Sequence, residues 1–242
     1  MGKPCCVLLS GGMDSIAALH WFHGTNRLLE HVSLTRDIRC LLVDYGQPHR
    51  DNELFQAERV CERLGVPRAR IAIADALRTG LGISGRVTDH DGDSGTNAAF
   101  LPCRNLALLS MAVSRACAWW PADQEIEIVI GACADDAEAF PDCRLKFFTS
   151  AMLALSLGSE RVVSIVAPWL HFSKKEILER FFDCPEALED IRRSWSCYRG
   201  GAEPCGRCTA CVLRAQAFRE LGIDDLSTGV VMHGGDVMRA SR

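Results

Sequence analysis

Two glycines flanked by two hydroxyls and a carboxylate, Ser10-Gly11-Gly12-Met13-Asp14-Ser15, follow the apolar run that ends at Leu9. The glycines permit a tight turn whose backbone N–H groups point at a bound anion. A helix starting here adds its positive dipole end, and the Ser10 and Ser15 hydroxyls can donate to phosphate oxygens. The turn is not a Walker loop, because no Gly-Lys-Ser/Thr follows at the required offset, and it is not the G-x-G-x-x-G dinucleotide fingerprint. Read alone, the same residues also fit a polar strand-to-helix turn capped by Asp14.

Cys197, Cys205, Cys208 and Cys211 are spaced C-x7-C-x2-C-x2-C. The close pairs let two thiolates reach one ion from a tight turn, which Gly206 eases. Four thiolates match tetrahedral zinc, and a closed all-cysteine set leaves no position for water, so the expected role is structural. All-thiolate sites also suit iron, and on spacing alone an iron–sulfur cluster or free thiols stay open. The remaining nine of the thirteen cysteines are scattered and read mostly as small core residues. An odd count with no secretory signal argues against a disulfide framework and for the cytosol.

Three further segments mix carboxylates with other polar groups: Asp44-Tyr45-Gly46-Gln47-Pro48-His49, Pro102-Cys103-Arg104-Asn105, and residues 131–144, which hold Asp135, Asp136, Asp142 and Arg144. Singly, each fits a helix cap or a solvated turn. Together on one edge they could hold a polar planar substrate and neutralise phosphates. Arg192, Arg193, Arg199, Arg207, Arg214 and Arg219 fall in a stretch where Glu203 is the only acid. That stretch is either a solvated surface or a rim for phosphates or nucleic acid.

The elements that must position these groups are legible as short apolar runs alternating with helical patterns. Strands are expected at 5–9, 38–43, 69–73, 125–130 and 162–167. Helices are expected at 15–22, 104–120, 145–157, 174–182 and 212–221, and at 52–64 behind an Asp51 cap, with Leu54, Ala57, Cys61 and Leu64 at helical spacing. Residues 78–100 are rich in Gly, Ser, Thr and Asp without periodicity, and a loop that long is functional or disordered. The alternation predicts right-handed βαβ units, hence an α/β fold with a parallel sheet and helices on both faces. Ligands of such sheets sit beyond the carboxyl ends of the strands, which singles out 10–15, 44–50 and 131–144. The chain is expected to divide into an α/β domain over 1–185 and a metal-binding helical segment over 186–242.

With 48% hydrophobic and 24% charged residues the 242-residue chain is globular rather than disordered. It has no apolar run of the roughly 18 residues a membrane helix needs. A net charge of −4 gives no global attraction to nucleic acid or anionic membranes.

The loop resembles the PP-loop of the N-type ATP pyrophosphatases, which implies ATP cleaved between its α- and β-phosphates. Over most of the chain, from about Cys5 to Leu221, the sequence resembles the 7-cyano-7-deazaguanine synthases. The pieces fall in that family's order: Ser10–Ser15, Asp44–His49, Leu101–Asn105, Phe140–Arg144, Lys174–Glu176 and Trp195-Ser196-Cys197-Tyr198. The resemblance implies an adenine nucleotide alpha hydrolase-like fold and an ATP-dependent carbon–nitrogen ligase. In that chemistry the carboxylate of 7-carboxy-7-deazaguanine is adenylated, ammonia gives the amide, and a second ATP converts the amide to the nitrile with loss of AMP. It further implies that Leu9, Ser10, Gly11, Gly12, Met13, Asp14 and Ser15 hold ATP, with Mg2+ bridging the pyrophosphate and Asp44 near the nucleotide. Arg104 and Lys174 would offset phosphate charge, and Asn105, Asp136, Asp142 and Arg144 would face the deazaguanine. A structural zinc and a homodimer complete the expectation.

The chain departs from the family pattern in places. Leu101-Pro102-Cys103-Arg104-Asn105 stands where V-P-G-R-N is usual, Ala139 replaces a glycine, and Pro48 stands where an arginine is usual. The chain has no room for a glutaminase domain and residue 2 is Gly, so nitrogen is expected from free ammonia or another amine. Three other readings compete. They are a divergent ligase coupling the activated acid to an amine on a protein or nucleic acid, as in bacterial defence systems, a PP-loop enzyme modifying tRNA, and a zinc-stabilised scaffold without turnover.

Overall fold

The computed structural model describes residues 2–29, 35–73, 101–233 and 236–239. Five strands, β1 (Lys3–Leu8), β2 (Arg36–Asp44), β3 (Arg68–Ala72), β4 (Ile126–Ile130) and β5 (Val163–Val166), form one parallel sheet in the order β3-β2-β1-β4-β5. The helices are α1 (Met13–Leu29), α2 (Arg50–Leu64), α3 (Arg104–Trp119), α4 (Ala134–Ala139), α5 (Leu145–Ser159), α6 (Lys174–Glu179), α7 (Pro185–Arg193) and α8 (Thr209–Leu221). A short antiparallel hairpin, β6 (Val230–His233) and β7 (Asp236–Arg239), follows. The expected parallel α/β architecture is therefore present. The 78–100 loop lies outside the described residues.

Helices cover both faces, so the central strands are largely apolar, with the buried Glu127 of β4 paired to Arg36 at 2.7 Å. Side chains alternate across β1: Cys5 and Val7 enter a core with α1, α2, α6, α7 and α8, whereas Cys6 and Leu8 enter a core with α3 and α5. Cys5, Cys6, Cys40, Cys61, Cys133 and Cys143 are buried, as small core residues should be, while Cys103 and Cys184 are exposed. No helix among the described residues is long and apolar enough to cross a membrane.

Three local expectations need correction. Helix α2 begins at Arg50 with His49 as N-cap and no side-chain cap, so Asp51 lies inside the first turn. There it favours the helix through the dipole rather than through a capping bond. Helix α1 runs on to Leu29, past the expected end at 22. The helix expected over 174–182 ends at Glu179, and a separate helix, α7, starts on Pro185. Proline suits a first helical position because its missing N–H has no partner there anyway.

Helix α7 is anchored by a buried ion cluster. Asp190 is 1% exposed. It accepts from His20 Nε2 at 2.9 Å, Arg59 at 2.9 Å and Arg63 Nε at 3.0 Å, tying α7 to α1 and α2. Burial pushes its carboxyl up, but the bonds from His20 and Arg63 and the charge of Arg59 outweigh this and leave its pKa at about 2. A carboxyl held below its ordinary value stabilises the fold fully above about pH 4, and that contribution disappears as pH falls toward 2. Acid unfolding should therefore show a loss of about 2 kcal/mol over that window that is missing in Asp190→Asn. The variant itself should lose about 3 kcal/mol in urea unfolding at pH 7, because its cationic partners stay half-buried without a counter-charge.

Candidate active site

At the carboxyl end of β1 the chain turns through Ser10–Gly12 into α1. Gly11 has φ +87°, and a Cβ there would lie 2.1 Å from the Glu53 carbonyl oxygen. Gly131, just past β4, meets the start of α1 as closely: a Cβ would sit 2.5 Å from the Ser15 nitrogen. Both positions require glycine for close backbone approach. The loop hydroxyls satisfy one another: Ser15 Oγ donates to the Gly12 carbonyl at 3.0 Å and lies 3.0 Å from Ser10 Oγ, which accepts from the Gly12 N–H at 3.2 Å. From outside, the Trp195 N–H donates to the Gly11 carbonyl and Trp169 Nε1 to the Asp14 carbonyl, both at 3.0 Å.

Lys174 enters this corner from α6. Ser173 and Glu176 form a reciprocal capping box that fixes the helix start. The Lys174 backbone N–H donates to Asp135 at 2.8 Å. Its ammonium is buried, donating to Asp14 Oδ2 at 2.8 Å and lying 3.8 Å from Asp136 Oδ1 and 3.3 Å from Cys133 Sγ. Burial pulls the Lys174 pKa down, but Asp14 and Asp136 more than offset it, and the group rests well above the ordinary lysine value. Burial drives the Asp14 carboxyl up, Lys174 pulls it back part-way, and Asp136 and Asp135 add to the rise. Among the described residues this corner sets one cation, Lys174, among three carboxylates. Asp14 Oδ1 is buried and has no hydrogen-bond partner among the described residues.

The opposite wall comes from α3. Its N-cap, Cys103, has φ +62°, the left-handed conformation that favours glycine. Cys103→Gly should therefore raise stability by about 1 kcal/mol, read as a higher Tm. The next two residues line the cleft. Arg104 lies 5.9 Å from the Phe140 ring centroid. Asn105 is buried and donates from Nδ2 to the Asp142 carbonyl at 3.0 Å. Its backbone N–H donates to Asp142 Oδ2 at 3.2 Å.

The structure thus brings Leu9, Ser10, Gly12, Met13, Asp14, Ser15, Arg104, Asn105, Asp136 and Lys174 around one cleft, with Gly11 backing it against α2. Three other candidates do not line it. Asp44 is buried at the end of β2, where it accepts from the Gly46 N–H at 3.0 Å and from Arg70 at 2.9 Å. Asp142 spends one oxygen on the start of α3. Arg144 is turned outward and donates to the Ala137 carbonyl at 2.8 Å.

The family model described as Queuosine biosynthesis protein QueC matches residues 4–222. The chain belongs to the QueC family. It is 31% identical over 230 residues to the 7-cyano-7-deazaguanine synthase of Marinomonas sp., covering 93% of this chain and 97% of the relative. The synthase of Alteromonas mediterranea is 32% identical over 231 residues, covering 93% and 98%. That of Thermoplasma acidophilum is 31% identical over 232 residues, covering 92% and 90%. Membership makes this chain an enzyme, an ATP-using carbon–nitrogen ligase.

In this QueC chain the four candidate metal ligands come together. The sulfurs of Cys197, Cys205, Cys208 and Cys211 all lie within 4.8 Å of one another, with Cys205 and Cys211 at 3.9 Å. Zinc–thiolate bonds of about 2.3 Å place tetrahedral sulfurs about 3.8 Å apart, so the set fits a single zinc ion. A cluster of several irons would hold the sulfurs further apart. Backbone N–H groups of Arg199 and Cys205 donate to Cys197 Sγ at 3.3 and 3.4 Å, and that of Cys208 to Cys205 Sγ at 3.4 Å. Such donors favour the thiolate form that binds metal.

The arginine stretch of this QueC chain is partly internal. Arg214 is buried and donates to Asp225 at 2.7 Å, Ser194 Oγ at 2.6 Å and the Arg192 carbonyl at 2.8 Å. Arg193 pairs with Glu189 at 2.5 Å. Arg214 thus ties α8 to the end of α7 and to the segment at Asp225, whereas the Arg193–Glu189 pair lies within α7.

A second polar group joins the Asp44–His49 segment to Glu53, which sequence reasoning passed over. His49 Nδ1 donates to the Tyr198 carbonyl at 2.9 Å, and His49 Nε2 lies 3.4 Å from Glu53 Oε1. Gln47 Nε2 donates to Glu53 Oε2 at 2.9 Å, and Gln47 Oε1 accepts from the Tyr45 N–H at 3.0 Å. Burial lowers the His49 pKa, but the charge and hydrogen bond of Glu53 outweigh it and hold it above the ordinary value. The signal was present as His and Glu at i and i+4, on one face of the helix once α2 is known to start at Arg50.

Proposed function

We propose that this chain makes 7-cyano-7-deazaguanine from 7-carboxy-7-deazaguanine, ATP and ammonia, with release of AMP and pyrophosphate. The observation that carries the reading is the corner where the glycine loop, the start of α1 and the buried Lys174–Asp14 pair converge. A glycine turn leading into a helix N-terminus suits a pyrophosphate, and a lysine fixed by carboxylates suits charge that grows on the bridging oxygen as it leaves. Residues Leu9 to Ser15 would hold the β- and γ-phosphates. Arg104, across the cleft, would meet the α-phosphate side.

The unpartnered Asp14 Oδ1, with Asp136 close by, fits a hard divalent cation such as Mg2+, which prefers carboxylate oxygens. When bound, Mg2+ supplies further neutralisation of the phosphates. Zinc at the four cysteines is structural, its closed ligand set leaving no place for substrate. Asn105 would bind the planar acid directly. Asp142 would act on it by fixing Asn105, Asp44 by shaping the 44–47 turn, and Arg144 by bracing α4.

The test is mass spectrometry of products after incubation with ATP, Mg2+, 7-carboxy-7-deazaguanine and ammonium. Nitrile with AMP is expected. Amide alone, or AMP without nitrile, would replace the synthase reading with a ligase using another amine acceptor. Absence of AMP would remove the substrate assignment.

A further inference from the structure

The synthase reaction requires a nitrogen to lose its proton as it attacks the acyl-adenylate, and among the described residues the carboxylates on the phosphate side of the cleft are gathered around Lys174. Asp14 and Asp136 face the Lys174 ammonium at 2.8 and 3.8 Å, and Asp135 accepts the Lys174 backbone N–H at 2.8 Å. Glu53 is the remaining carboxylate among the described residues that line the cleft. Its partners are an amide and an imidazole, and only the imidazole can carry charge: Gln47 donates to Oε2 at 2.9 Å and His49 Nε2 stands 3.4 Å from Oε1. Because a carbonyl cannot donate, the Tyr198 contact at 2.9 Å places a proton on His49 Nδ1 and turns Nε2 toward Glu53. The Glu53 carbonyl packs against Gly11, which sets this residue beside the phosphate loop.

From this geometry we propose that Glu53 is the proton acceptor for the incoming nitrogen, with His49 and Gln47 as its positioning residues. The proposal rests on the synthase reading. In the step, the lone pair of ammonia forms the C–N bond to the acyl carbon. The C–O bond to phosphate breaks with its electron pair leaving on AMP, and the proton shed by nitrogen passes to the Glu53 carboxylate. The bland alternative is that Glu53 only ties α2, through His49, to the segment that carries Tyr198.

Glu53→Gln keeps the shape and an oxygen for His49 but cannot take a proton, and its NH2 gives up the bond from Gln47 Nε2. The two half-reactions separate the explanations: acid-dependent ATP–pyrophosphate exchange reports adenylation, and amide formation reports nitrogen transfer. In Glu53→Gln, amide formation should fall at least about 100-fold further than exchange, the size expected for a lost general base. Hydroxylamine is less basic than ammonia and sheds its proton unaided. It should therefore be converted to the hydroxamate at a rate within several-fold of wild type. Equal losses in exchange and amide formation, or no rescue by hydroxylamine, would overturn the proposal. If Glu53→Gln does not fold, Glu53→Asp serves, with the same differential loss expected and the same results against it. Wild-type protein with no acid-dependent exchange would instead strike the synthase reading.

Discussion

Lys174→Met is expected to lower kcat/KM for the ATP-dependent reaction by about 100- to 1,000-fold, the range for removing one preorganised charge from a site where charge develops. Lys174 is 4% exposed, and its ammonium is the cation between Asp14 and Asp136. Its removal also strands those carboxylates, which should destabilise the fold by about 3–5 kcal/mol. A double-mutant cycle with Asp14→Asn separates the two effects. The double variant should recover much of the stability in urea unfolding while activity stays lost. Recovery of activity along with stability would mean that Lys174 serves only to neutralise Asp14.

Loss of the metal should have the larger structural effect. Cys208→Ser, or a strong chelator, is expected to abolish activity and lower Tm by more than 10 °C, since structural zinc contributes on the order of 10 kcal/mol in small zinc domains. The link to activity is physical: the same segment supplies the Trp195 N–H to the Gly11 carbonyl and the Tyr198 carbonyl to His49. Without the ion to gather the four thiolates, both supports of the cleft lose their anchor. Elemental analysis should find one zinc per chain in the wild type and less than one in Cys208→Ser. Full activity in a metal-free chain would show that the packing of α8 alone holds the segment.

The size of these effects follows from how far apart in sequence the partners lie. Lys174 and Asp14 are 160 residues apart, and His49 and Tyr198 are 149 apart. Local signals carried no hint of either pairing. Asp142 shows the converse: the resemblance implied a substrate contact, and one oxygen of its carboxylate holds the start of α3. Arg144, two residues later, turns outward to the Ala137 carbonyl. Strand periodicity and turn composition fix where a residue sits along an edge; the rotamer that decides its partner depends on neighbours brought in by other elements.

What the sequence determined by itself is therefore local or periodic in origin. The parallel sheet followed from apolar runs alternating with helical patterns, the glycine loop from its position after the first strand, and the metal ligands from the C-x7-C-x2-C-x2-C spacing, because each depends on residues a few positions apart. The chain's tertiary structure alone decided which carboxylates gathered around Lys174 and which met an amide and an imidazole. It also made Arg214, from the arginine-rich stretch, an internal tie through its burial against Asp225 and Ser194. Burial and pairing over long separations set the charge state of such groups, and neither is a property of any short stretch of chain.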